Sequence, residues 1–197
     1  MRTATAAILA AALFAGLPAC NADTPSETSS MIRYQVDEAR LRSWWLTREG
    51  VVLRSAEDER RAIALPGWIW ADAPHCPPDL AIGPKGEVLV TSNVVPMLWR
   101  VDPQTLAVTV HSLALDADSD KDVGFAALVY SAEQMAFIAY SDTQRSAWKV
   151  DLALKGATKI GTADLRRSPP AQRATHVRVG PCADLGRRLA RMALKID

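Results

Sequence analysis

From Asp79 to Asp151, short apolar runs alternate with clusters of turn-forming residues. In the first half the runs are Leu80–Ile82, Val88–Thr91, Met97–Val101 and Leu106–Leu113. Gly83-Pro84-Lys85-Gly86 presets φ with Pro and ends on Gly, as a type I turn prefers. Asp102-Pro103-Gln104-Thr105 does the same, with an Asp able to accept hydrogen bonds from its own turn. Short runs rich in Val, Leu, Thr and Trp between such turns predict the strands of an antiparallel meander.

The pattern then repeats. Trp99-Arg100-Val101-Asp102 returns as Trp148-Lys149-Val150-Asp151, and each Trp lies seven residues after a serine, Ser92 or Ser141. Leu80-Ala81-Ile82 aligns with Leu128-Val129-Tyr130 if the second copy carries one extra turn residue. Self-similarity at a fixed offset signals a repeat architecture, and four strands in about 40–50 residues is the size of one propeller blade.

The flanks carry weaker copies. Tyr34-Gln35-Val36 opens a strand, Trp44-Trp45-Leu46 and Val51-Val52-Leu53 flank a turn at Arg48-Glu49-Gly50, and 55–61 is a charged loop. Ala62-Ile63-Ala64-Leu65 resembles the fourth strand of a unit, with Leu65, Leu113 and Ile160 aligned, so 31–65 reads as a worn first blade. Trp68-Ile69-Trp70 is either core packing between blades or a ligand-stacking platform. From Ala183 to Asp197, Leu185, Leu189, Met192, Ala193 and Ile196 fall at helical spacing among Arg187, Arg188, Arg191 and Lys195. This amphipathic, basic helix would either dock on the β core or lie on anionic lipid.

The GPKG, LWRVDP and AWKVDL motifs over roughly 79–160 resemble bacterial β-propeller repeats of the NHL, streptogramin-lyase-like and quinoprotein-like kind. The resemblance implies an all-β, propeller-like fold of four-stranded antiparallel blades over 31–182, with a short C-terminal helix over 183–197. The chain holds about three blades where closed propellers use about four to eight. It is therefore a shortened relative, an open stack, or a homo-oligomer that completes the ring. Lactonases and lyases of this architecture use acid, Asn or His groups at the central channel, which directs attention to Asp79, Asn93 and Asp122 at a channel mouth.

The N-terminus changes the setting. Arg2 precedes an apolar stretch, 6–17, of export-signal length, ending Leu17-Pro18-Ala19-Cys20. That ending resembles a bacterial lipobox, which implies cleavage after residue 19 and lipidation of Cys20; ordinary cleavage near Ala22 is the alternative. Residues 20–30 are polar and Ser/Thr-rich, a flexible tether. Asn21 in place of Asp points, by resemblance, to the periplasmic face of the outer membrane, with the periplasm as the alternative. The net charge of +1 falls to zero without Arg2, which argues against nucleic acid as a partner, since that needs a basic face.

Candidate chemistry is sparse. Asp116, Asp118, Asp120 and Asp122 alternate as oxygen ligands for Ca²⁺ would, but Lys121 and Ala127 stand where a calcium loop needs Gly and Glu. A solvated acidic loop with no cofactor is the competing expectation. His75, His111 and His176 lack metal-ligand spacing, and no nucleophile elbow, haem-attachment or phosphate-loop motif is present. With Cys20 lipidated, Cys76 and Cys182 remain as an even pair in an oxidising compartment, each beside a Pro and ahead of an Asp. They form a disulfide or stay as two separate thiols. The expected function is a non-catalytic binding or assembly surface for a protein or small molecule. The alternative is a lactonase-like hydrolase or lyase with a channel metal.

Overall fold

A computed structural model describes residues 31–116, 123–162, 165, 182 and 184–194. The signal, Cys20, the tether, Asp118, Asp120, Asp122 and His176 lie outside the described residues.

Three four-stranded antiparallel meanders follow one another along the chain. Blade 1 holds β1 (Met31–Asp37), β2 (Arg42–Thr47), β3 (Gly50–Ser55) and β4 (Arg60–Ala64). Blade 2 holds β5 (Leu80–Ile82), β6 (Val88–Thr91), β7 (Met97–Val101) and β8 (Val108–Ser112). A two-residue strand, β9 (Ala114–Leu115), follows. Blade 3 holds β10 (Ala127–Ser131), β11 (Ala136–Ser141), β12 (Ser146–Val150) and β13 (Gly156–Thr162), with β9 added in parallel along β13. One helix, α1 (Leu185–Ala193), comes last.

The turns form where the sequence places them. Asp102 Oδ1 accepts from the backbone N–H groups of Gln104 and Thr105 at 2.9 and 2.8 Å. Asp151 does the same for Lys155 and Gly156 in the next blade. These bonds hold both carboxylates at the same corner, between the third and fourth strands. Ser55 fills that corner in blade 1, its Oγ taking the N–H groups of Glu57 and Glu59. The Asp102 turn also consumes Leu106 and Ala107, so β8 starts at Val108, later than the apolar run.

Strand register fixes which residues meet between blades. Directly opposed residues share a face. In blade 2 one such row is Leu80–Val90–Trp99–Val110. In blade 3 the matching row is Leu128–Ala139–Trp148–Lys159. Leu80, Val90 and Trp99 pack on Trp44, Leu46, Val51 and Ile63 of blade 1. Leu128, Ala139 and Trp148 pack on Ala81, Leu89 and Leu98 of blade 2. Each blade thus turns its Trp row toward the preceding blade, and both tryptophans are fully buried. The pairing also corrects one alignment. A bulge between Ala147 and Trp148 leaves Ile160 without a partner in the row, so Ile160 is not the counterpart of Leu113.

Helix α1 takes the place where a fourth blade would pack. Leu185, Leu189 and Ala193 fall on one helical face and bury themselves against Ala127, Ile138 and Tyr140, the far face of blade 3. The helix therefore docks on the β core and covers the sheet face that an incomplete ring leaves open. Cys76 and Cys182 are joined as a disulfide, Cα–Cα 5.4 Å apart, which ties the approach to α1 to the entry of blade 2.

Candidate functional site

In a propeller the first strands of the blades line the axis. Here those strands are β1, β5 and β10, and one side chain touches all three. Asp79 stands immediately before β5 and is buried. Its Oδ1 accepts from the backbone N–H of Leu80 at 2.9 Å. Its Oδ2 accepts from the N–H of Leu128, on β10, at 3.0 Å. Arg33 of β1 lies 3.7 Å from Oδ1. The Asp79 backbone N–H donates to Thr91 Oγ1 at 2.8 Å.

Burial pushes the Asp79 carboxyl up to about 6, against the opposing pull of Arg33 and the two backbone donors. The desolvation cost of a charge in this position outweighs its partners. Arg33 extends the junction to the C-terminal segment, donating to the carbonyl of Cys182 at 3.4 Å. Gly186 of α1 faces the same carboxylate, since a Cβ there would sit 3.7 Å from Oδ2.

Asn93 also works on backbone. Its amide donates to the carbonyls of Ala71 and Cys76 at 2.7 and 2.9 Å, and its carbonyl accepts from Ala71 N–H at 2.8 Å. It pins the 71–79 connection between blades 1 and 2. Asp79 and Asn93 therefore both serve this connection, but they share no hydrogen-bond partner. Their polar atoms are spent on the fold. Asp122, the third residue expected at the channel mouth, lies outside the described residues.

The Trp68–Trp70 cluster is a closed ladder. The two rings stack with centroids 5.7 Å apart. Arg48 covers Trp70 at 5.1 Å from the ring centroid. Asp72 fixes Arg48 through two hydrogen bonds of 2.7 and 2.9 Å. Trp68 donates to the carbonyl of Thr91 and joins the core between blades 1 and 2. Arg48 and Trp68 thus occupy Trp70 as stacking partners from within the chain.

Of the acidic loop, Asp116 is described. Its Oδ1 accepts from Lys159 N–H at 3.0 Å. It borders an open groove of about 380 Å³ between β9 and β13, with Lys149, Asp151 and Thr158 on the other walls. Among the described residues no three His, Cys, Asp or Glu side chains are grouped to hold a metal ion. His111 lies on β8, beside Thr109 Oγ1 at 3.0 Å, and burial holds its imidazole below the usual range, with Arg100 adding to the shift. Sequence reasoning missed Arg33. The signal for it was a charged residue between Ile32 and Tyr34 in a strand next to the axis.

These features define a class: an incomplete, propeller-like stack of three blades, closed by a helix at its third blade. No protein-family profile matches the chain, and no curated protein does. Solved structures share part of the architecture at low identity, three of them as follows. Virginiamycin B lyase from Staphylococcus aureus aligns with 60% of this chain and 36% of its own, at 12% identity and a TM-score of 0.46. A streptogramin B lyase aligns over the same shares at 14% identity and a TM-score of 0.45. The dihydro-heme d1 dehydrogenase NirN aligns with 63% of this chain and 26% of its own, at 18% identity and a TM-score of 0.45. The chain spans about a third of the length of the lyases and about a quarter of NirN.

Proposed function

We propose that the protein is an exported, lipid-anchored envelope component whose three-blade domain is a non-catalytic binding or assembly surface. One observation carries the reading: the axial end is filled from within. Asp79, placed where a propeller hydrolase would hold a reactive group, is bonded to two backbone donors and paired with Arg33. The start of α1 stands beside it. A ligand would have to displace these bonds to reach the carboxylate, so the outer faces of the blades are the surfaces offered to partners.

The anchor rests on Leu17-Pro18-Ala19-Cys20 after an export-length apolar stretch. A single acyl chain binds a bilayer only marginally, so the multiple acylation of a lipoprotein cysteine is what would hold the domain at the membrane. The test is fractionation with palmitate labelling. Wild type should take up label and pellet with membranes, and Cys20→Ala should lose the label and become soluble. A wild-type protein that takes up no label, with Cys20→Ala still pelleting, would show the anchor reading to be wrong.

A further inference from the structure

The two ends of the blade stack are finished differently. At blade 3 the open face is covered by α1. At blade 1 the opposite face carries the row Tyr34–Trp45–Val52–Ala62. By register this row is the counterpart of Leu80–Val90–Trp99–Val110 and Leu128–Ala139–Trp148–Lys159, the rows that bury blade 2 on blade 1 and blade 3 on blade 2. Among the described residues no blade precedes blade 1, yet the row stays apolar. Tyr34 is 59% exposed, whereas its counterparts Leu80 and Leu128 are fully buried; the neighbouring Val36 is 56% exposed, and within the row Val52 is buried and Trp45 half-buried. Tyr34 and Trp45 pack together, and Arg54 lies 4.4 Å over the Trp45 ring. Arg54 is also paired with Asp58 at 3.8 Å; Tyr, Trp and Arg together are the composition of an interface centre.

We propose that this face of blade 1 is the contact of a two-fold homodimer, in which the Tyr34–Trp45–Val52–Ala62 rows of two copies pack on each other. This rests on the assembly-surface reading and names its partner. A second copy is the occupant that the geometry favours. The row has the register of a sheet-on-sheet contact, which fits another sheet face better than a lipid surface or a peptide. In a second copy α1 already holds the far face of blade 3, so the uncapped face is the same one, and like meets like across a two-fold axis.

The charges agree with an axis running along the row. The next row on one side, Val36–Ser43–Arg54–Arg60, is basic, and the next on the other side, Met31–Thr47–Gly50–Ala64, is uncharged. A two-fold along the apolar row sets each basic row opposite the uncharged row of the other copy, so the arginines of the two copies do not face each other. Closure at two copies follows, because the cap at blade 3 blocks further addition.

The contact is one sheet face, small by interface standards, so association is expected in the range of roughly 10–500 µM. Sedimentation velocity of the exported chain carrying Cys20→Ala should show a monomer passing to a dimer across that range. Tyr34→Glu and Val36→Glu, both at exposed positions, should each keep it monomeric while its thermal midpoint stays within a few degrees of the parent. Three outcomes overturn the dimer: a monomer throughout, a dimer untouched by either variant, or a dimer that forms only after reduction frees α1. The last would mean head-to-tail pairing through blade 3. If the chain is monomeric but Tyr34→Glu abolishes retention of another envelope protein, the assembly reading stands and the homodimer falls. If neither association occurs, both fall.

Discussion

At the scale of single residues, burial and local bonding decide the outcome more than residue type does. Trp99 and Trp148 are both wholly buried, with Trp99 Nε1 donating to the Pro66 carbonyl and Trp148 Nε1 to Ser146 Oγ. Trp148→Ala should cost about 3–5 kcal/mol in urea unfolding. Trp45→Ala, on the open face of the monomer, should cost well under half of that. Equal losses would mean that the blade 1 face is as fully packed as the internal ones. Asp79 gives a pH signature. The folded state keeps its proton up to about 6, whereas an ordinary aspartate releases it near 3.8. In that interval the folded state binds the extra proton, so the Asp79 share of stability is present at low pH and is lost as pH rises. That share is at most about 3 kcal/mol. Urea unfolding at about pH 4 and pH 7 should therefore show Asp79→Asn gaining on wild type as the pH rises. A pH-independent difference between the two would be evidence against the raised pKa. Arg33 is the charged group facing this carboxylate, and its removal should make the acidic stabilisation larger.

At the scale of elements, the connections between blades carry as much order as the strands. Gly124 lies where a Cβ would come within 1.9 Å of the Asn93 carbonyl carbon and 2.1 Å of Val94 N. That close approach lets Phe125 N–H reach the Ser92 carbonyl and seats Phe125 edge-on against Trp148. Gly124→Ala must push two backbones apart, at a cost of about 1–3 kcal/mol or more, read as a lowered unfolding midpoint. Helix α1 is held by its apolar side and by the Cys76–Cys182 bridge, whose sequence separation is 106 residues. Replacing both cysteines by serine should cost about 2–5 kcal/mol. Amide exchange in α1 should quicken more than exchange in β6 and β7. If α1 keeps its protection, its apolar contacts alone are sufficient. The strand periodicity and turn chemistry of blades 2 and 3 were legible because local bonds form them: Asp102 and Asp151 act within their own turns. The bulge that displaces Ile160 was not legible, because it arises from cross-strand register and has no residue signature.

At the scale of the whole molecule, the described residues form a stack with α1 capping one end and nothing among them capping the other. Asp116 is engaged by backbone, and Ala127 stands where a calcium loop places its bidentate Glu. EDTA should therefore leave the thermal midpoint unchanged. A shift of several degrees would revive the channel-metal reading. The sequence by itself determined the blade repeat, the positions of its turns, the amphipathic C-terminal helix and the candidacy of Cys76 and Cys182 as a pair, while the structure decided that they close. The features read from sequence follow from periodicity, local hydrogen bonding and cysteine parity, which act over a few residues or need only counting. Tertiary structure alone decided that Arg33, Leu80 and Leu128 meet at Asp79. It alone decided that Arg48 closes over Trp70, and that α1 stands in for a blade while Tyr34 is left exposed and Trp45 half-buried. The physical reason is common to all: each depends on how the blades stack. Stacking joins residues far apart in the chain, through burial and desolvation that no local pattern encodes.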